Sequence, residues 1–210
     1  MLYCLGRDFH YEHTDNHWTW SGFDGQSHVL PEPALQGEHQ LRNAAAVMMV
    51  LACLAESFPV SYKHIHHALA NMQLAGRQQV ISGKFNWLVD VAHNAQSIEC
   101  LADFLRNQEA AYRTHAVVGM LKDKDITANL ASLQSLVSDW YCVDLQVPRG
   151  ASANDLQTRI EKSASDQIWV DCYPNVAAAM AAAEARAGAG DIMLVFGSFY
   201  TVAEALQRGV

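Results

Sequence analysis

The stretch Trp87-Leu88-Val89-Asp90-Val91-Ala92-His93-Asn94 begins as an apolar run and ends in polar groups at a turn. A run this short and this apolar does not suit an exposed helix. It reads as a strand buried on both faces, which belongs in a mostly parallel sheet. Residues 116–120, 140–145, 168–172 and 192–196 have the same character. Amphipathic stretches separate them. Ile126, Leu130, Leu133 and Val137 keep a three-to-four spacing behind a cap expected at Asp123. Ser152 and Asp155 resemble a capping box ahead of Leu156 and Ile160. Pro174 suits the first turn of an alanine-rich helix. Strand and helix alternating in this way predict an α/β fold. The expected architecture is a Rossmann-like, mostly parallel, doubly wound sheet over residues 75–210.

Residues 1–74 lack that repeat. The alternation around Trp18-Thr19-Trp20 and the turn signal Asp24-Gly25 predict a hairpin or short meander. Pro31 and Pro33 then break the chain. Leu41, Ala44, Ala45, Met48, Leu51 and Ala52 form a helical stripe. Ser61 is a candidate N-cap for a second helix carrying Ile65, Leu69 and Met72. The character changes at Leu74-Ala75-Gly76, the expected domain boundary.

Composition excludes several classes. Half of the 210 residues are hydrophobic and 17% are charged, which excludes a disordered chain. The net charge is −8 and the basic residues are scattered, which argues against a nucleic-acid surface. No apolar run is long enough to cross a membrane. Met1-Leu2-Tyr3-Cys4 does not open a secretory signal, so a cytoplasmic setting is expected. Cys4, Cys53, Cys100, Cys142 and Cys172 are odd in number and form no C-x-x-C pair, so they read as buried free thiols. His64, His66 and His67 crowd one segment without a cysteine or carboxylate at ligand spacing. A solvated helix face is the expectation, and no metal ligand is assigned.

Ligands bind an open parallel sheet beyond the carboxyl ends of its strands. Three places near such ends carry chemistry. Asp90 can accept from a ribose diol, and His93 can donate to an anion or titrate near neutral pH; alternatively Asp90 and Asn94 only cap a helix starting near Ser97. Arg77, in Gly76-Arg77-Gln78-Gln79, can reach a phosphate with its planar fork or stand free in a linker. Gly197-Ser198-Phe199-Tyr200 opens a helix whose amides suit a carboxylate, with an ordinary Ser198 cap as the plain alternative. Tyr200 stands where a G-x-S-x-G elbow needs glycine, which excludes a serine hydrolase. No phosphate-cradling G-x-x-x-x-G-K-[ST] occurs, and Gly188-Ala189-Gly190 precedes a strand, so no dinucleotide fingerprint is present. Lys122-Asp123-Lys124-Asp125 reads as a solvated helical turn.

In order along the chain stand Leu30-Pro31-x-Pro33, Asn43-Ala44-Ala45, Gly76-Arg77-x-Gln79, Asp90-Val91-Ala92-His93-Asn94, Val118-Gly119-Met120-Leu121-x-Asp123-Lys124-Asp125 and Gly197-Ser198-Phe199-x-Thr201-Val202-Ala203. Together they resemble the bifunctional dihydrofolate synthase/folylpolyglutamate synthase family of the Mur ligase superfamily. The resemblance implies that residues 1–74 are the end of an ATPase domain without its P-loop, and that residues 75–210 are the Rossmann-like glutamate-ligase domain that closes over it. It implies ATP and Mg2+ as cofactors, with the metal ligands in the absent amino-terminal ATPase half. It implies dihydropteroate or folate and L-glutamate as substrates, joined through an acyl phosphate. By the same resemblance Asn43, Arg77 and Asp90 contact ATP, Asp90 and His93 are catalytic, and His93, Ser198 and Tyr200 hold substrate. Ala95 stands where the family usually has proline, which predicts a looser loop. The chain alone is expected to be inactive. A non-catalytic Rossmann-like binding or interaction domain is the alternative.

Overall fold

The computed structural model describes residues 2–14, 17–23, 25–35, 37–108, 113–164 and 168–209. They divide into two compact units, Met1–Leu74 and Ala75–Val210.

In the first unit, β1 (His10–Thr14), β2 (His17–Ser21) and β3 (Ser27–Pro31) form an antiparallel meander. Trp18 and Trp20 point to one face by the two-residue period of a strand, and both are buried. Each indole N–H is satisfied: Trp18 donates to the Pro31 carbonyl at 2.8 Å and Trp20 to the Ala45 carbonyl at 3.1 Å. Gly25 takes φ 77° in the turn, while Asp24 lies outside the described residues. Helix α1 (Glu38–Leu54) lays Leu41, Ala44, Ala45, Met48 and Met49 on the tryptophans. Helix α2 (Tyr62–Asn71) is capped by Ser61, whose hydroxyl accepts from the His64 amide. Met72 falls just past its end and is exposed, so it is not on the apolar stripe as expected.

In the second unit, β4 (Gln79–Ser82) runs antiparallel to β5 (Asn86–Asp90). The chain continues through α3 (Ala95–Arg106), β6 (Thr114–Val118), α4 (Ile126–Ala131), β7 (Asp139–Val143) and α5 (Ala153–Ser163). It ends with β8 (Trp169–Tyr173), α6 (Val176–Arg186), β9 (Ile192–Phe196) and α7 (Phe199–Arg208). The sheet order is β4-β5-β9-β6-β7-β8, parallel throughout except at β4. Alternate strand residues feed two cores. Leu88, Ala116, Trp140 and Leu194 pack on α3, α4 and α5, whereas Val89, Val117, Tyr141 and Val195 pack on α6 and α7. The sheet is doubly wound, as its burial on both faces predicts.

Several local expectations are corrected. The β4 strand was not foreseen; four residues of weak alternation carry little signal. Asp125, not Asp123, caps α4, accepting from the Ala128 amide at 3.2 Å, because Asp123 is drawn to Arg149 at 3.0 Å. The α4 helix ends at Ala131, and Leu133 and Val137 reach the core from turns. Ser152 does cap α5, but the Asp155 carboxylate turns to Arg159 rather than closing a box. Pro174 precedes the α6 cap, which is Asn175. No disulfide joins the cysteines among the described residues, yet only Cys142 is buried and Cys53 is exposed.

Candidate functional site

The carboxyl ends of β5, β9 and β6 lie side by side. The helices that leave β5 and β6 pack on one face and the helix that leaves β9 packs on the other. A doubly wound sheet opens a crevice where its connections diverge in this way. A cleft of about 110 Å³ lies there, lined by His93, Leu121, Lys124, Gly197, Ser198, Phe199 and Tyr200.

The base of α7 is set by two glycines. Gly197 has φ 111°, and a Cβ there would stand 2.6 Å from the Gly119 carbonyl oxygen. A Cβ on Gly119 would stand 2.5 Å from the Thr201 hydroxyl oxygen. That hydroxyl donates to the Gly119 carbonyl at 2.8 Å, so the Ser198 hydroxyl donates to Thr201 at 2.8 Å and accepts from its amide at 3.1 Å. The Ser198 side chain is therefore committed to holding the turn. What the cap presents to a ligand is the amides of Phe199 and Tyr200, which have no intrahelical acceptor.

His93 is fixed at three points. Its Nδ1 lies 2.7 Å from the Val91 carbonyl, which can only accept, so Nδ1 carries the hydrogen. In the neutral ring Nε2 is then the proton acceptor. The His93 amide donates to Ser97 Oγ at 3.1 Å, and its carbonyl accepts from Asn129 Nδ2 at 3.1 Å. Asn94 caps α3 in a reciprocal box with Ser97. Ala95 takes the first helical position, where a proline would also fit; the turn that was expected to be loose is closed by this box.

Asp90 does not cap α3. It is buried, and its oxygens accept from the Gln78 amide at 3.0 Å and the Ala92 amide at 2.7 Å. Burial raises its carboxyl above the ordinary value, against the pull of those amides and of Arg77. The Gln78 bond clasps the turn that carries Arg77. Arg77 is exposed, its guanidinium carbon 5.7 Å from the centroid of Phe199. Asn43 is in the first unit, exposed on α1, where its amide donates to Gln40 at 3.2 Å.

Two residues were missed as contributors. Asn129 sits buried on α4 between Ile126 and Leu130; a lone polar residue in that apolar stripe was the available signal. Lys124, read as solvated, is half-buried and lines the cleft. Its acidic neighbours are engaged elsewhere, and its ammonium group makes no hydrogen bond or ion pair among the described residues. The arrangement offers a cation, a guanidinium, two amides and one imidazole acceptor, which suits anions. Among the described residues no carboxylate lines the cleft, so this donor set does not fit Mg2+.

Residues 76–199 match the model for the Mur ligase, glutamate ligase domain. The chain is 37% identical over 207 residues to the dihydrofolate synthase/folylpolyglutamate synthase of Escherichia coli (strain K12), covering 99% of this chain and 46% of that protein. It spans about half the length of the curated relatives it matches. The structure of E. coli FolC in complex with DHPP and ADP matches with a TM-score of 0.81 at 37% identity, over 97% of this chain and 46% of that one. A bifunctional folylpolyglutamate synthase/dihydrofolate synthase with Mn, AMPPNP and L-glutamate bound gives a TM-score of 0.83 at 33% identity, over 99% and 47%. This chain belongs to the Mur ligase family, and residues 76–199 are its glutamate ligase domain.

Proposed function

We propose that this chain is the carboxyl-terminal part of an ATP-dependent ligase that joins L-glutamate to dihydropteroate and to folate tails. Residues 75–210 would be the glutamate-joining domain and residues 1–74 the end of the ATPase domain. The observation that carries this reading is the anion-suited cleft where the strand connections diverge, lined by His93 and the start of α7. When bound, ATP supplies the phosphoryl group that turns the acceptor carboxylate into an acyl phosphate. Arg77 meets the nucleotide's phosphates with its fork. Asp90 holds the Arg77 turn and keeps lone pairs for a ribose hydroxyl. Lys124 and the Phe199 and Tyr200 amides hold a carboxylate of the incoming glutamate, and Ser198 keeps those amides in place. The amine of glutamate attacks the acyl carbon, inorganic phosphate leaves as the amide bond forms, and His93 Nε2 takes the proton that the amine loses. By the resemblance to the family, Asn43 is assigned to the adenine side of ATP. The magnesium ligands lie outside this chain, and no step here runs through the metal.

The test joins this chain to the unmatched part of the E. coli relative and measures ATP-dependent addition of glutamate to dihydropteroate and to tetrahydrofolate. The expected result is activity in the fusion alone, lowered at least about tenfold by Arg77→Ala. Nucleotide binding by a well-folded fusion that joins no glutamate to either acceptor would reject the ligase and leave a binding domain.

A further inference from the structure

Arg77 stands between two residues with left-handed backbone, Gly76 at φ 69° and Gln78 at φ 41°. Glycine adopts that region freely. A glutamine keeps it only where its surroundings hold it there, and such residues gather at ligand clamps. Among the described residues Gln78 is the one non-glycine with positive φ. The turn is tied on both sides of Arg77. The Gly76 amide donates to Gln79 Oε1 at 2.9 Å, and the Gly76 carbonyl accepts from the Val91 amide at 2.8 Å. The Gln78 amide donates to Asp90. The half-buried Gln78 side chain adds another bond: its Nε2 donates to the Cys100 carbonyl in α3 at 3.1 Å. A helix carbonyl has a second lone pair for such a donor. The motif Gly76-Arg77-x-Gln79 leaves this position open, and nothing local in the sequence marks it.

We infer that Gln78 is a positioning residue: its side-chain bond to Cys100 holds the left-handed backbone that aims the Arg77 fork. The inference rests on the ligase reading, which makes Arg77 the contact to the nucleotide's phosphates. The partner helix argues for it. Helix α3 begins at the Asn94 cap, directly after His93, and Ser97 in its first turn accepts from the His93 amide. The Gln78 bond to that helix therefore refers Arg77 and His93 to one rigid element, which fixes their separation. Phe199 is near both, its ring 5.7 Å from the Arg77 guanidinium carbon and 6.3 Å from the His93 ring. The residue type argues for it too. Glycine and asparagine hold a positive φ at less cost than glutamine. What glutamine adds is reach: asparagine is one methylene shorter, and glycine has no side chain to donate from.

Gln78→Asn and Gln78→Gly test this in the chain fused to the unmatched part of the E. coli relative. Both accept the positive φ and neither reaches the Cys100 carbonyl. The urea midpoint should therefore hold or rise. The KM for ATP should rise about tenfold, with the KM for glutamate unchanged. In an Arg77→Ala background the same substitutions should change nothing further, because no fork is left to aim. An unchanged KM for ATP overturns the inference and keeps the ligase. A rise that persists in the Arg77→Ala background, or one that comes with a lowered urea midpoint, overturns it as well, for Gln78 is then a packing residue. If the fusion joins no glutamate, calorimetric titration with ATP replaces the KM. Weaker ATP binding by Gln78→Asn that vanishes in the Arg77→Ala background keeps the positioning role and rejects the ligase. Equal ATP binding by all variants rejects both.

Discussion

The two units treat apolar side chains in opposite ways. In the second, six strands are sandwiched between helices, and among the described residues the exposed large apolar side chains are Val80 on the edge strand and Phe199 and Tyr200 at the cleft mouth. In the first, three strands and two helices bury two tryptophans well, yet Val29, Val47, Val50, Leu54, Phe58 and Val60 remain exposed. The difference teaches what each exposed group is for. In the second unit Phe199 and Tyr200 stand exposed at the candidate cleft, the position the proposed site would use. Among the described residues of the first unit the exposed side chains line no such cleft with candidate site residues, and their exposure follows from three strands and two helices covering one face of α1 only.

Glycine substitution breaks the comparison most sharply. Gly197 and Gly25 both have positive φ, at 111° and 77°. A Cβ at Gly197 would meet backbone oxygen at 2.6 Å, whereas at Gly25 it meets nothing within 4 Å. Gly197→Ala therefore adds overpacking to strain, and the expected loss is about 4 kcal/mol. Gly25→Ala carries strain alone, about 1 kcal/mol. Urea unfolding of the two variants checks this; equal losses would mean that the ends of β6 and β9 yield easily and do not fix the cleft.

Asn129 separates stability from site geometry. In Asn129→Leu the lost bond to the His93 carbonyl is offset by removing the Asn129 Oδ1, which is buried without a partner among the described residues, so the unfolding free energy should change by less than about 1 kcal/mol. The His93 carbonyl loses its tie. Ligase turnover in the fusion should fall about tenfold or more through displacement of the ring, with the KM for ATP unchanged. A fall in both stability and ATP affinity would make Asn129 a packing residue only.

The main features were legible where burial dictates the pattern. Strands β5, β6, β7 and β9 read as continuous apolar runs because helices cover both faces. Asp90, His93, Ser198 and Tyr200 stood out because polar groups at the ends of such runs are costly unless used or satisfied. The Asn129 tie to His93 was hidden because it links positions 36 apart in sequence. Lys124 was hidden by its charged neighbours: nothing local tells that Asp123 goes to Arg149 and Asp125 to a helix cap, leaving the lysine for the cleft. The α1 run announced a helix, but its pattern does not distinguish a buried outer face from a bare one.

Within the second unit, pH distinguishes the two ends of the sheet. Asp90, at the carboxyl end of β5, is raised chiefly by burial. The folded state then holds its proton more tightly than the unfolded chain, whose aspartates titrate near about 3.9. Its contribution to stability is present below that value and is lost as pH rises through the folded value. Asp191 precedes β9 at the opposite end. Burial pushes it up, but the amides of Gly188 and Arg113 and the His115 ring outweigh that and leave it lowered. Its contribution is present above the unfolded value and is lost as pH falls through the folded one. Asp90→Asn should therefore flatten the stability profile above about pH 4, and Asp191→Asn below it. Denaturation midpoints across pH 2–7 check the sign; a flattening on the same side for both variants would break the contrast.

The smallest effect tests the open face of the first unit. In the free chain Val50 is more than half exposed, so Val50→Ser removes little apolar burial. Stability should change by no more than about 0.5 kcal/mol. On the proposal that residues 1–74 end a larger ATPase domain, this face is covered in the fusion, and there the same change buries a hydroxyl opposite apolar groups and should cost about 1–3 kcal/mol. The contrast is thus a property of that larger domain, not of α1 itself. Thermal unfolding of the free chain and of the fusion, each with and without Val50→Ser, measures the difference. A large loss in the free chain would show that the stripe already packs there, and the first unit would have to be regarded as closed.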